Sequence, residues 1–464
     1  MKNYEQYKRI VKFTFSMIVL SLEMITYKFF WLTYYNKEML IPYKRTGNWL
    51  IVAVYGSLLV IFNIMYGGLK IGALKNANII YSQTLASLCA NAMIYLQITL
   101  LTKHFQSVTP LLAMTVIEFL TICIWSTIST RCYYHLYPPR NVLLIYGEHP
   151  VTKLMGKLHT RTDRFIIGDC IHISEGIHKI TKKIDFYDGV IICDLPSHTR
   201  NLILKYCYGK SIRTYMTPKI SDILTRSSES LHLFDTPLLL SRNTGFTFEQ
   251  KILKRSMDIV LSSIGLIFLS PLFLLITIGI KMEDKGPVIY KQKRLTIGGR
   301  EFYVYKFRSM RVDAEQDGVA RLACVNDNRV TVVGNFIRKV RLDELPQLFN
   351  ILKGDMSIVG PRPERPEIAQ QYEKEMPEFQ YRLRVKAGLT GYAQIYGKYN
   401  TTPYDKLKLD LHYIQNYSLL LDIMLIFLTT KILFMKESTE GVTDHQVTAI
   451  HVISDEYSDI AEKF

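Results

Sequence analysis

The chain is 464 residues long, 48% of them are hydrophobic, and its formal net charge at pH 7 is +16. The length exceeds one ordinary domain and the hydrophobic content is high for a soluble chain, so we expect part of it to lie in lipid. Lysine and arginine interleave with apolar segments and form neither a basic tail nor a zinc-ligand pattern, which argues against nucleic-acid binding. The charge suits a cytoplasmic membrane face and anionic phosphate substrates. Seven cysteines without a Cys-x-x-Cys pair argue against a disulfide framework.

The first part of the chain contains four apolar segments, each close to the roughly 20 residues that a helical membrane crossing needs. Short loops join them, which favours crossings over the alternative of a buried helical bundle. We therefore predict a four-helix transmembrane domain over residues 1–135. The four segments are residues 11–34, 49–66, 79–101 and 111–130.

Basic residues predict how these segments are oriented. The amino terminus and the second loop are more cationic than the third loop, which carries Lys103, although the first loop is also positive. No small-residue cleavage site follows the first apolar run, so we expect a retained anchor rather than a signal peptide. With the amino terminus inside, four crossings return the chain to the cytoplasm. The basic residues concerned are Lys2, Lys8, Arg9, Lys12, Lys70 and Lys75.

From residue 141 to residue 245, short β-rich runs alternate with helical or polar stretches, which is typical of a small doubly wound α/β domain. Strands are predicted at residues 142–146, 165–167 and 189–193. A dinucleotide fingerprint would place Gly-x-Gly-x-x-Gly after the first strand, where this chain reads Gly147-Glu148-His149-Pro150. We therefore predict a Rossmann-like domain without a bound dinucleotide.

The third region, residues 250–436, begins with an uncharged run at residues 259–280 that is long enough to span a bilayer. Ser270 and Pro271 lie at its middle, and a mid-helix proline removes a backbone hydrogen bond and clashes with the preceding turn. We predict a re-entrant helix over residues 257–281 that bends there and leaves the membrane on its entry side. A kinked ordinary crossing is the alternative.

The polar remainder of this region predicts an α+β globule of short helices. Residues 419–434 are apolar again but contain Asp422 and Lys431, which is typical of a helix at the membrane interface. The tail over residues 437–464 is polar and predicted to be peripheral. The predicted fold class therefore combines membrane α with α/β: four transmembrane helices, a Rossmann-like domain, and an α+β domain with a re-entrant helix.

The strongest chemical signal is the adjacent acidic pair Asp343 and Glu344, which is followed by Pro346. Neighbouring side chains on a helix diverge by roughly 100°, so the two carboxylates suit separate tasks rather than a shared proton. One could attack phosphorus while the other binds Mg²⁺ beside it. Pro346 suits the first turn of a helix, whose free N–H groups favour a nearby phosphate. The alternative is an ordinary solvated helix start.

Basic side chains flank the acidic pair in sequence, and guanidinium groups clamp phosphate oxygens in bidentate fashion. Each alone is compatible with an ordinary surface charge. Arg362, however, lies in the turn Gly360-Pro361-Arg362-Pro363, where two prolines reduce the entropy lost when it binds a ligand. Together these residues predict a phosphate-binding site. They are Lys306, Arg308, Arg338, Lys339, Arg341 and Arg362.

Two further features leave alternatives open. The loop from Lys386 through Thr390 to Tyr392 contains two glycines and suits close approach of backbone to phosphate or sugar, but a plain turn fits equally well. Asp410 is either a second acidic ligand or a satisfied structural carboxylate. The histidines show no metal-ligand spacing.

The region from about residue 250 to residue 435 carries a series of ordered motifs that resemble the bacterial sugar transferase family. The transmembrane helices and the Rossmann-like domain ahead of it resemble the larger polytopic subgroup of that family. Ala387, Leu389 and Tyr392 depart from the family, which usually reads Pro, Ile and Trp at these positions. The motifs are Lys254-Arg255-x-x-Asp258, Ser270-Pro271, Gly286-Pro287-Val288, Tyr305-Lys306-Phe307-Arg308-Ser309-Met310, Leu342-Asp343-Glu344-Leu345-Pro346-Gln347, Gly354-Asp355-Met356-Ser357 and Gly360-Pro361-Arg362-Pro363-Glu364.

The resemblance implies a multi-pass protein of the bacterial inner membrane, with its catalytic domain on the cytoplasmic face and a homodimer as the assembly. It implies transfer of a hexose-1-phosphate from a UDP-sugar to undecaprenyl phosphate, which starts exopolysaccharide, capsule or O-antigen repeat units. Asp343 would attack the sugar-bearing phosphorus and expel UMP, and the lipid phosphate would then accept the phosphosugar from the enzyme.

The same resemblance implies roles for individual residues. Glu344 would hold Mg²⁺ against the diphosphate, Arg338 would contact the lipid phosphate, and Arg362 with Glu367 would face the nucleotide. Lys306, Lys386 and Asp410 align with other active-site positions. Arg308, Glu364 and Thr390, which lie in the same motifs, complete the predicted substrate-binding residues.

Two other classes of function compete with this interpretation. A membrane-bound nucleotide-sugar dehydratase or epimerase would need a glycine fingerprint and a Tyr-x-x-x-Lys pair. Tyr404 and Lys408 have that spacing, but they lie far from the α/β domain and no fingerprint precedes them. The other alternative is a non-catalytic membrane scaffold.

Overall fold

The computed structural model describes residues 2–147, 151–241, 245–283, 285–311, 329–397 and 401–433. These residues form two compact units, one ending at Thr217 and one beginning at Pro218. The predicted tail at residues 437–464 lies outside the described residues, as does the stretch from Glu148 to Pro150 at the end of the first predicted strand.

The first unit begins with four long helices, one at each predicted apolar segment. They pack in sequence as neighbours, α1 against α2 and α4, and α3 against α2 and α4. Their inner faces bury large side chains such as Trp31, Leu59 and Met114, whereas apolar residues such as Ile25 and Phe29 are exposed, as lipid contact requires. The helices are α1 (Lys8–Thr33), α2 (Arg45–Tyr66), α3 (Asn76–Thr102) and α4 (Thr109–Leu136).

The second part of the first unit is a parallel sheet in the order β2-β1-β3-β4. Alternate residues of β1 face opposite sides: Leu143 and Ile145 pack under α6 and α7, while Val142 and Leu144 pack with α5. Helices on both faces of a parallel sheet confirm the doubly wound α/β prediction, in the flavodoxin-like strand order. The elements are β1 (Arg140–Tyr146), α5 (Thr152–His159), β2 (Phe165–His172), α6 (Ile177–Ile184), β3 (Gly189–Cys193), α7 (Ser197–Gly209) and β4 (Arg213–Met216).

Polar contacts attach this sheet to one end of the helical bundle. Arg161, in the turn before β2, donates to the carbonyl oxygen of Ala73 at 2.9 Å and pairs with Asp163. The hydroxyl of Tyr134, near the end of α4, donates to Asp163 at 2.5 Å. Glu5, ahead of α1, pairs with Arg213 of β4 at 2.8 Å. The amino terminus, the loop between α2 and α3, and the sheet therefore share one end of the bundle.

The second unit starts with α8 (Ile220–Arg226) and an antiparallel hairpin of β5 (Glu229–Leu233) and β6 (Thr236–Leu240), followed by α9 (Phe248–Glu283). Helix α9 is longer than predicted and runs through Pro271. The Ser270 hydroxyl donates to the carbonyl oxygen of Ile267 at 2.8 Å. This carbonyl would otherwise accept from the amide of residue 271, but proline has no N–H group. Among the described residues, five helices are long and apolar enough to cross a membrane, α1 to α4 and α9.

The remaining elements of the second unit are short and form the predicted α+β globule. β7 and β8 are antiparallel, β9 and β10 are parallel, and helices enclose them. The shared core includes Val304, Ile351, Val359 and Leu411. The elements are β7 (Ile289–Leu295), β8 (Glu301–Phe307), α10 (Val332–Lys339), α11 (Gln347–Lys353), β9 (Ser357–Val359), α12 (Pro366–Glu375), β10 (Gly388–Thr390), α13 (Tyr392–Tyr396), α14 (Pro403–Gln415) and α15 (Leu419–Leu433).

Buried polar groups join α9 to this globule near its first half. The Lys254 ammonium contacts the Asp422 carboxylate of α15 at 2.5 Å, and Tyr413 donates to the same carboxylate at 2.8 Å. Asp258 accepts hydrogen bonds from the Ser357 hydroxyl at 3.0 Å and from the Ile358 amide at 2.9 Å. Because unpaired charges are costly in the interior, these bonds fix α9 against β9. Ile358 lies two residues before Gly360, where the Gly360-Pro361 turn begins.

Candidate active site

The acidic pair lies on a single 3₁₀ turn, Leu342–Glu344, immediately before Pro346 and α11. Arg341 precedes this turn with φ 55° and ψ 24°, a left-handed conformation that is uncommon for a residue with a side chain. A backbone held in such a conformation stores local strain, which is a frequent property of functional sites. The reversal at Arg341 separates α10 from α11 and places Asp343 and Glu344 between them.

Glu344 is held through one of its two oxygens. Lys306 and Arg362 each donate to its Oε1 atom at 3.0 Å. Within the described part of the chain, no hydrogen bond is recorded to Oε2. Burial by itself raises the pKa of Glu344, but the charges of Lys306 and Arg362 outweigh burial and hold the pKa well below its ordinary value. Glu344 is therefore a carboxylate at neutral pH, with one oxygen available to a further ligand.

The pKa of Asp343 is shifted in the opposite direction. Burial has the largest effect and raises the pKa of Asp343, and the neighbouring charge of Glu344 raises it further. The charges of Lys306, Arg338 and Arg362 lower this pKa but only partly offset the rise. The net shift is upward. Partial desolvation makes a carboxylate less well stabilised by water and so more reactive as a nucleophile, provided that it is ionised. The two acids therefore differ in their electrostatic surroundings, and their separate tasks stay a prediction.

Two elements carry the basic residues on either side of this pair. Lys306 lies near the end of β8, and Arg338 lies in the last turn of α10. Helix α10 is fixed at its start by Glu283, whose carboxylate accepts from the amides of Val332 and Val333 at 2.6 and 3.0 Å. Ile337 packs with Phe307, so α10 and β8 share one apolar cluster. The cationic side chains are thus carried on packed elements rather than on free loops.

Arg362 reaches Glu344 because hydrogen bonds to the backbone carbonyl oxygens of its turn hold the turn in place. Arg382 donates to the carbonyl oxygen of Arg362 at 2.9 Å, and Arg294 donates to that of Pro363 at 3.1 Å. The turn also packs backbone to backbone on the next loop: a Cβ atom at Gly388 would lie 2.1 Å from the Gly360 nitrogen. Glycine is therefore required at this position for a reason of packing. The sequence interpretation had assigned this loop to substrate approach or to a plain turn.

Glu364 and Asp410, both predicted to bind substrate, belong to the ion network behind the turn. Glu364 pairs with Lys406 and with Arg382, the latter at 3.4 Å, and these cations lower its pKa to about 2 although burial raises it. Asp410 is 1% exposed and lies 2.8 Å from Arg382. Of the two alternatives for Asp410, the geometry favours the structural carboxylate. Arg382, Arg294 and Lys406 carried no local motif and were missed.

The remaining predicted residues lie at different distances from the acidic pair. Arg308 is buried one residue beyond β8, with its amide bonded to the carbonyl oxygen of Val288 at 2.8 Å. The Thr390 hydroxyl is bonded to that of Thr429 in α15 at 2.7 Å. Lys386 lies near Gly354 at the far end of α11, where burial and the charge of Arg255 lower its pKa. Glu367 is exposed in the first turn of α12.

The site offers few ligands for a metal. No group of three or more His, Cys, Asp or Glu side chains arranged to hold a metal ion occurs among the residues that the structure describes. Mg²⁺ commonly binds through only one or two carboxylates and fills its remaining positions with water and substrate phosphate. Glu344, ionised and with Oε2 available, together with Asp343 beside it, fits that mode of binding.

An acidic pair among basic side chains, in a unit that also contains a long apolar helix, is the arrangement expected of a membrane protein that acts on phosphate groups. The profile of the family described as bacterial sugar transferase matches residues 249–436. A Bacillus subtilis strain 168 protein, provisionally named an undecaprenyl-phosphate N-acetylgalactosaminyl 1-phosphate transferase, is 49% identical over 30% of this chain and 79% of its own length. The chain belongs to the bacterial sugar transferase family.

Longer relatives are similar over about half of this chain. A UDP-N-acetylgalactosamine-undecaprenyl-phosphate N-acetylgalactosaminephosphotransferase from Aeromonas hydrophila is 41% identical over 53% of this chain and 58% of its own length. A UDP-glucose:undecaprenyl-phosphate glucose-1-phosphate transferase from Xanthomonas campestris pv. campestris is 40% identical over 47% of this chain and 46% of its own. The chain thus spans about half the length of these curated relatives.

The network behind Arg362 leads to a test by double substitution. Arg382→Lys keeps a positive charge beside Asp410 but loses one of the two prongs that reach Glu364 and the Arg362 carbonyl. We expect transfer with the donors named for the relatives to fall about 10-fold to 100-fold, because Arg362 is no longer held on Glu344. In an Arg362→Ala background the same change should have little further effect, because Arg382 acts through Arg362.

The matched control is Arg384→Lys, two residues along, whose guanidinium lies over the Tyr381 ring. This variant should retain activity, and all variants should unfold at similar temperatures. If the effects of Arg382→Lys and Arg362→Ala simply multiply, Arg382 does not act by positioning Arg362.

Proposed function

We propose that this chain transfers a hexose-1-phosphate from a UDP-sugar to undecaprenyl phosphate, with release of UMP. One carboxylate oxygen of Asp343 attacks the sugar-bearing phosphorus. The bond from that phosphorus to the bridging oxygen breaks, and UMP leaves with this oxygen. The phosphosugar then remains on Asp343 as an acyl phosphate, until an oxygen of undecaprenyl phosphate attacks the same phosphorus and frees the carboxylate. The product is an undecaprenyl-diphospho-sugar.

The observation that carries this proposal is the difference between the two acids. Glu344 is held ionised by Lys306 and Arg362, whereas Asp343 is desolvated and has no recorded hydrogen bond within the described residues. A nucleophile needs an unengaged oxygen, and a metal ligand needs a stable negative charge. The names of the relatives, which specify undecaprenyl phosphate with either N-acetylgalactosamine or glucose donors, support the same reaction for a hexose.

Mg²⁺ fits this proposal as the cofactor, with Glu344 as its protein ligand and Asp343 beside it. When bound, the ion would neutralise diphosphate charge as UMP departs. Arg362 and Lys306 orient the carboxylate, and Arg338 of α10, whose charge acts on Asp343, would bind the phosphate of the lipid acceptor. These basic residues also attract two anionic substrates in turn to one site.

The packing of α9 supports a re-entrant course, with the site on the cytoplasmic face of the inner membrane. Arg255, in the first turns of α9, donates to the carbonyl oxygens of Ile351 and Leu352 at 2.5 and 2.6 Å. Glu283, at its other end, holds the start of α10. A straight helix would separate these ends by about 42 Å at 1.5 Å per residue, whereas both contact one compact globule. A helix that enters and leaves on one side allows this.

The distribution of positive charge supports the cytoplasm as that side. The bundle end that bears the sheet also bears the amino-terminal lysines and the loop with Lys70 and Lys75, which favours the cytoplasmic side. Between this sheet and α9, the described residues contain no other helix long and apolar enough to cross. The polar part of the second unit then meets both cytosolic UDP-sugar and the headgroup of the lipid acceptor. Undecaprenyl-linked products of this kind start surface polysaccharides.

The transfer reaction is tested by nucleotide release. The purified chain in detergent, supplied with Mg²⁺, undecaprenyl phosphate and a panel of UDP-hexoses, should release UMP with one of them, and intact mass should show a phosphosugar on the chain when the acceptor is omitted. Asp343→Asn should remove the adduct and lower turnover at least about 1,000-fold, because the amide is not nucleophilic. Release of UDP, or a persistent adduct in the variant, contradicts the mechanism. A dehydratase or scaffold would be insensitive to Asp343→Asn.

The electrostatic coupling of the acids predicts a change in pH dependence. Asp343 reacts only when ionised, so the rate of adduct formation falls as pH drops through its raised pKa. Glu344→Gln removes the negative charge that raises this pKa and frees Lys306 and Arg362 to lower it. The acidic limb of the pH-rate profile should therefore move to lower pH, while the maximal rate decreases. A limb that stays in place, measured by rapid-quench mass spectrometry, would show that Asp343 is not the titrating group.

Re-entry is tested by labelling from outside the cell. In a variant lacking the seven native cysteines, single cysteines at Thr247→Cys and Lys285→Cys mark the two exposed ends of α9. A membrane-impermeant maleimide should label neither in intact spheroplasts and both after permeabilisation. Lys44→Cys, in the exposed loop between α1 and α2, is the positive control and should be labelled from outside. Labelling of Lys285→Cys in intact spheroplasts would establish a full crossing instead.

A further inference from the structure

The transmembrane bundle contains a layer of oxygen-bearing side chains that the proposed transfer reaction does not use. Each helix contributes one residue: Glu23 from α1, Tyr55 from α2, Asn91 from α3 and Glu118 from α4. All four are at most 3% exposed, and each lies in the middle part of its helix. Ionisable side chains at this depth are expensive in free energy and usually mark a site.

Glu118 is satisfied as an anion by its neighbours. The Tyr55 hydroxyl donates to its Oε1 atom at 2.6 Å, and the Asn91 amide donates to its Oε2 atom at 2.7 Å. The same amide also donates to the Thr115 hydroxyl at 3.0 Å. Each carboxylate oxygen of Glu118 therefore has a donor, and three helices are joined by hydrogen bonds.

Glu23 is in the opposite situation. Within the described residues neither of its carboxyl oxygens has a hydrogen-bond partner, although the group interacts electrostatically with Glu118 and Tyr55. The hydroxyl of Tyr27, one turn further along α1, also lacks a partner, and its ring stacks on Tyr55 with centroids 4.2 Å apart. The next basic residue on α1, Lys28, lies over the Trp49 ring instead. The layer thus has unsatisfied oxygens on α1 only.

A proton alone does not account for this arrangement. A neutral Glu23 would still have a carbonyl oxygen that accepts no hydrogen bond from the described residues, which is costly in a buried site. A metal cation satisfies oxygens directly and needs no donor. One monovalent cation would neutralise the uncompensated carboxylate of Glu23.

We propose that the bundle binds one alkali cation, Na⁺ or K⁺, between Glu23 and Glu118, with the Tyr27 hydroxyl as a neutral ligand. Carboxylate and hydroxyl oxygens are the ligands that hard cations prefer. The ion joins α1 to the hydrogen-bonded group on the other three helices, so its occupancy contributes to the stability of the whole bundle. This site is independent of the transfer reaction.

A second polar layer lies two turns from the first, towards the end of the bundle that bears the sheet. Eight residues separate Tyr55 from Asn63, Gln83 from Asn91 and Glu118 from Ser126, which is about 12 Å along each helix. In this layer the Ser126 hydroxyl donates to Gln83 at 2.8 Å, and Ser87 lies buried between the layers on α3. Buried polar groups on one side of the first layer favour entry of the ion from that end.

The proposal is tested by the thermal stability of the purified full chain in detergent with EDTA. The melting temperature should be higher by about 3 °C or more in NaCl or KCl than in choline chloride of equal ionic strength. The salt that stabilises more identifies the ion. Glu23→Gln should melt at the same temperature in all three salts, and above the wild type in choline, because it removes the uncompensated charge. Radioactive sodium or rubidium should bind to the wild type and not to this variant.

Glu38→Gln, an exposed acid in the same unit, is the matched control and should keep the full salt response. Should Glu23→Gln fail to fold, Tyr27→Phe provides the second variant and should raise the cation concentration needed for half of the stabilisation. The proposal is wrong if the wild type melts identically in all three salts. It is equally wrong if the salt response survives in Glu23→Gln, or if lowering the pH in choline is the only way to stabilise the chain.

Discussion

The site depends on one interaction, the two-cation clamp on a single oxygen of Glu344. Lys306 comes from the end of a strand and Arg362 from a proline-bounded turn, and both reach Oε1. A buried carboxylate with two such partners stays ionised, and its charge keeps the neighbouring Asp343 from ionising easily. The clamp therefore produces two acids of different character on one short turn. Without the clamp, the two adjacent carboxyl groups would lack the charges that make their pKa values differ.

Other contacts of the second unit hold this clamp in place beside α9. Asp258 on α9 accepts from Ser357 and Ile358, and the same short strand continues into the turn that carries Arg362. Behind the turn, Arg382 joins Asp410 and Glu364 to the Arg362 carbonyl. Buried charges thus fix α9 to the strand before the turn and, separately, hold the turn itself. Charges that a sequence comparison places in an active site can act there through the backbone rather than by contact with substrate.

Local patterns in the chain predicted much of this architecture. Four apolar runs became α1 to α4, and the β-rich runs beginning at residues 142, 165 and 189 became adjacent parallel strands, because length and hydrophobic period are local properties. The pair Asp343 and Glu344 was identified for the same reason, since its neighbours along the chain include a helix-starting proline. Helix α9 was placed correctly but begins before and ends after the predicted bounds, as its polar ends have no periodic signal.

Other features had no local signal. Arg382, Arg294 and Lys406 stand in ordinary polar stretches, and only the folded chain brings them to Glu364 and to the carbonyl oxygens of the turn. The loop that contains Gly388 suited either substrate approach or a plain turn, and only the structure shows that this glycine packs against the backbone of Gly360.

The sequence by itself determined which segments can enter a membrane, where the sheet begins, and which two carboxylates stand side by side, because each depends on residues within a few positions of one another. Tertiary structure alone decided which of those carboxylates is held ionised, which charges support the turn, and that Glu23 and Glu118 are buried together inside the bundle. Those properties depend on burial and on the distances between residues that are tens of positions apart in the chain. Neither quantity can be predicted from the local order of side chains.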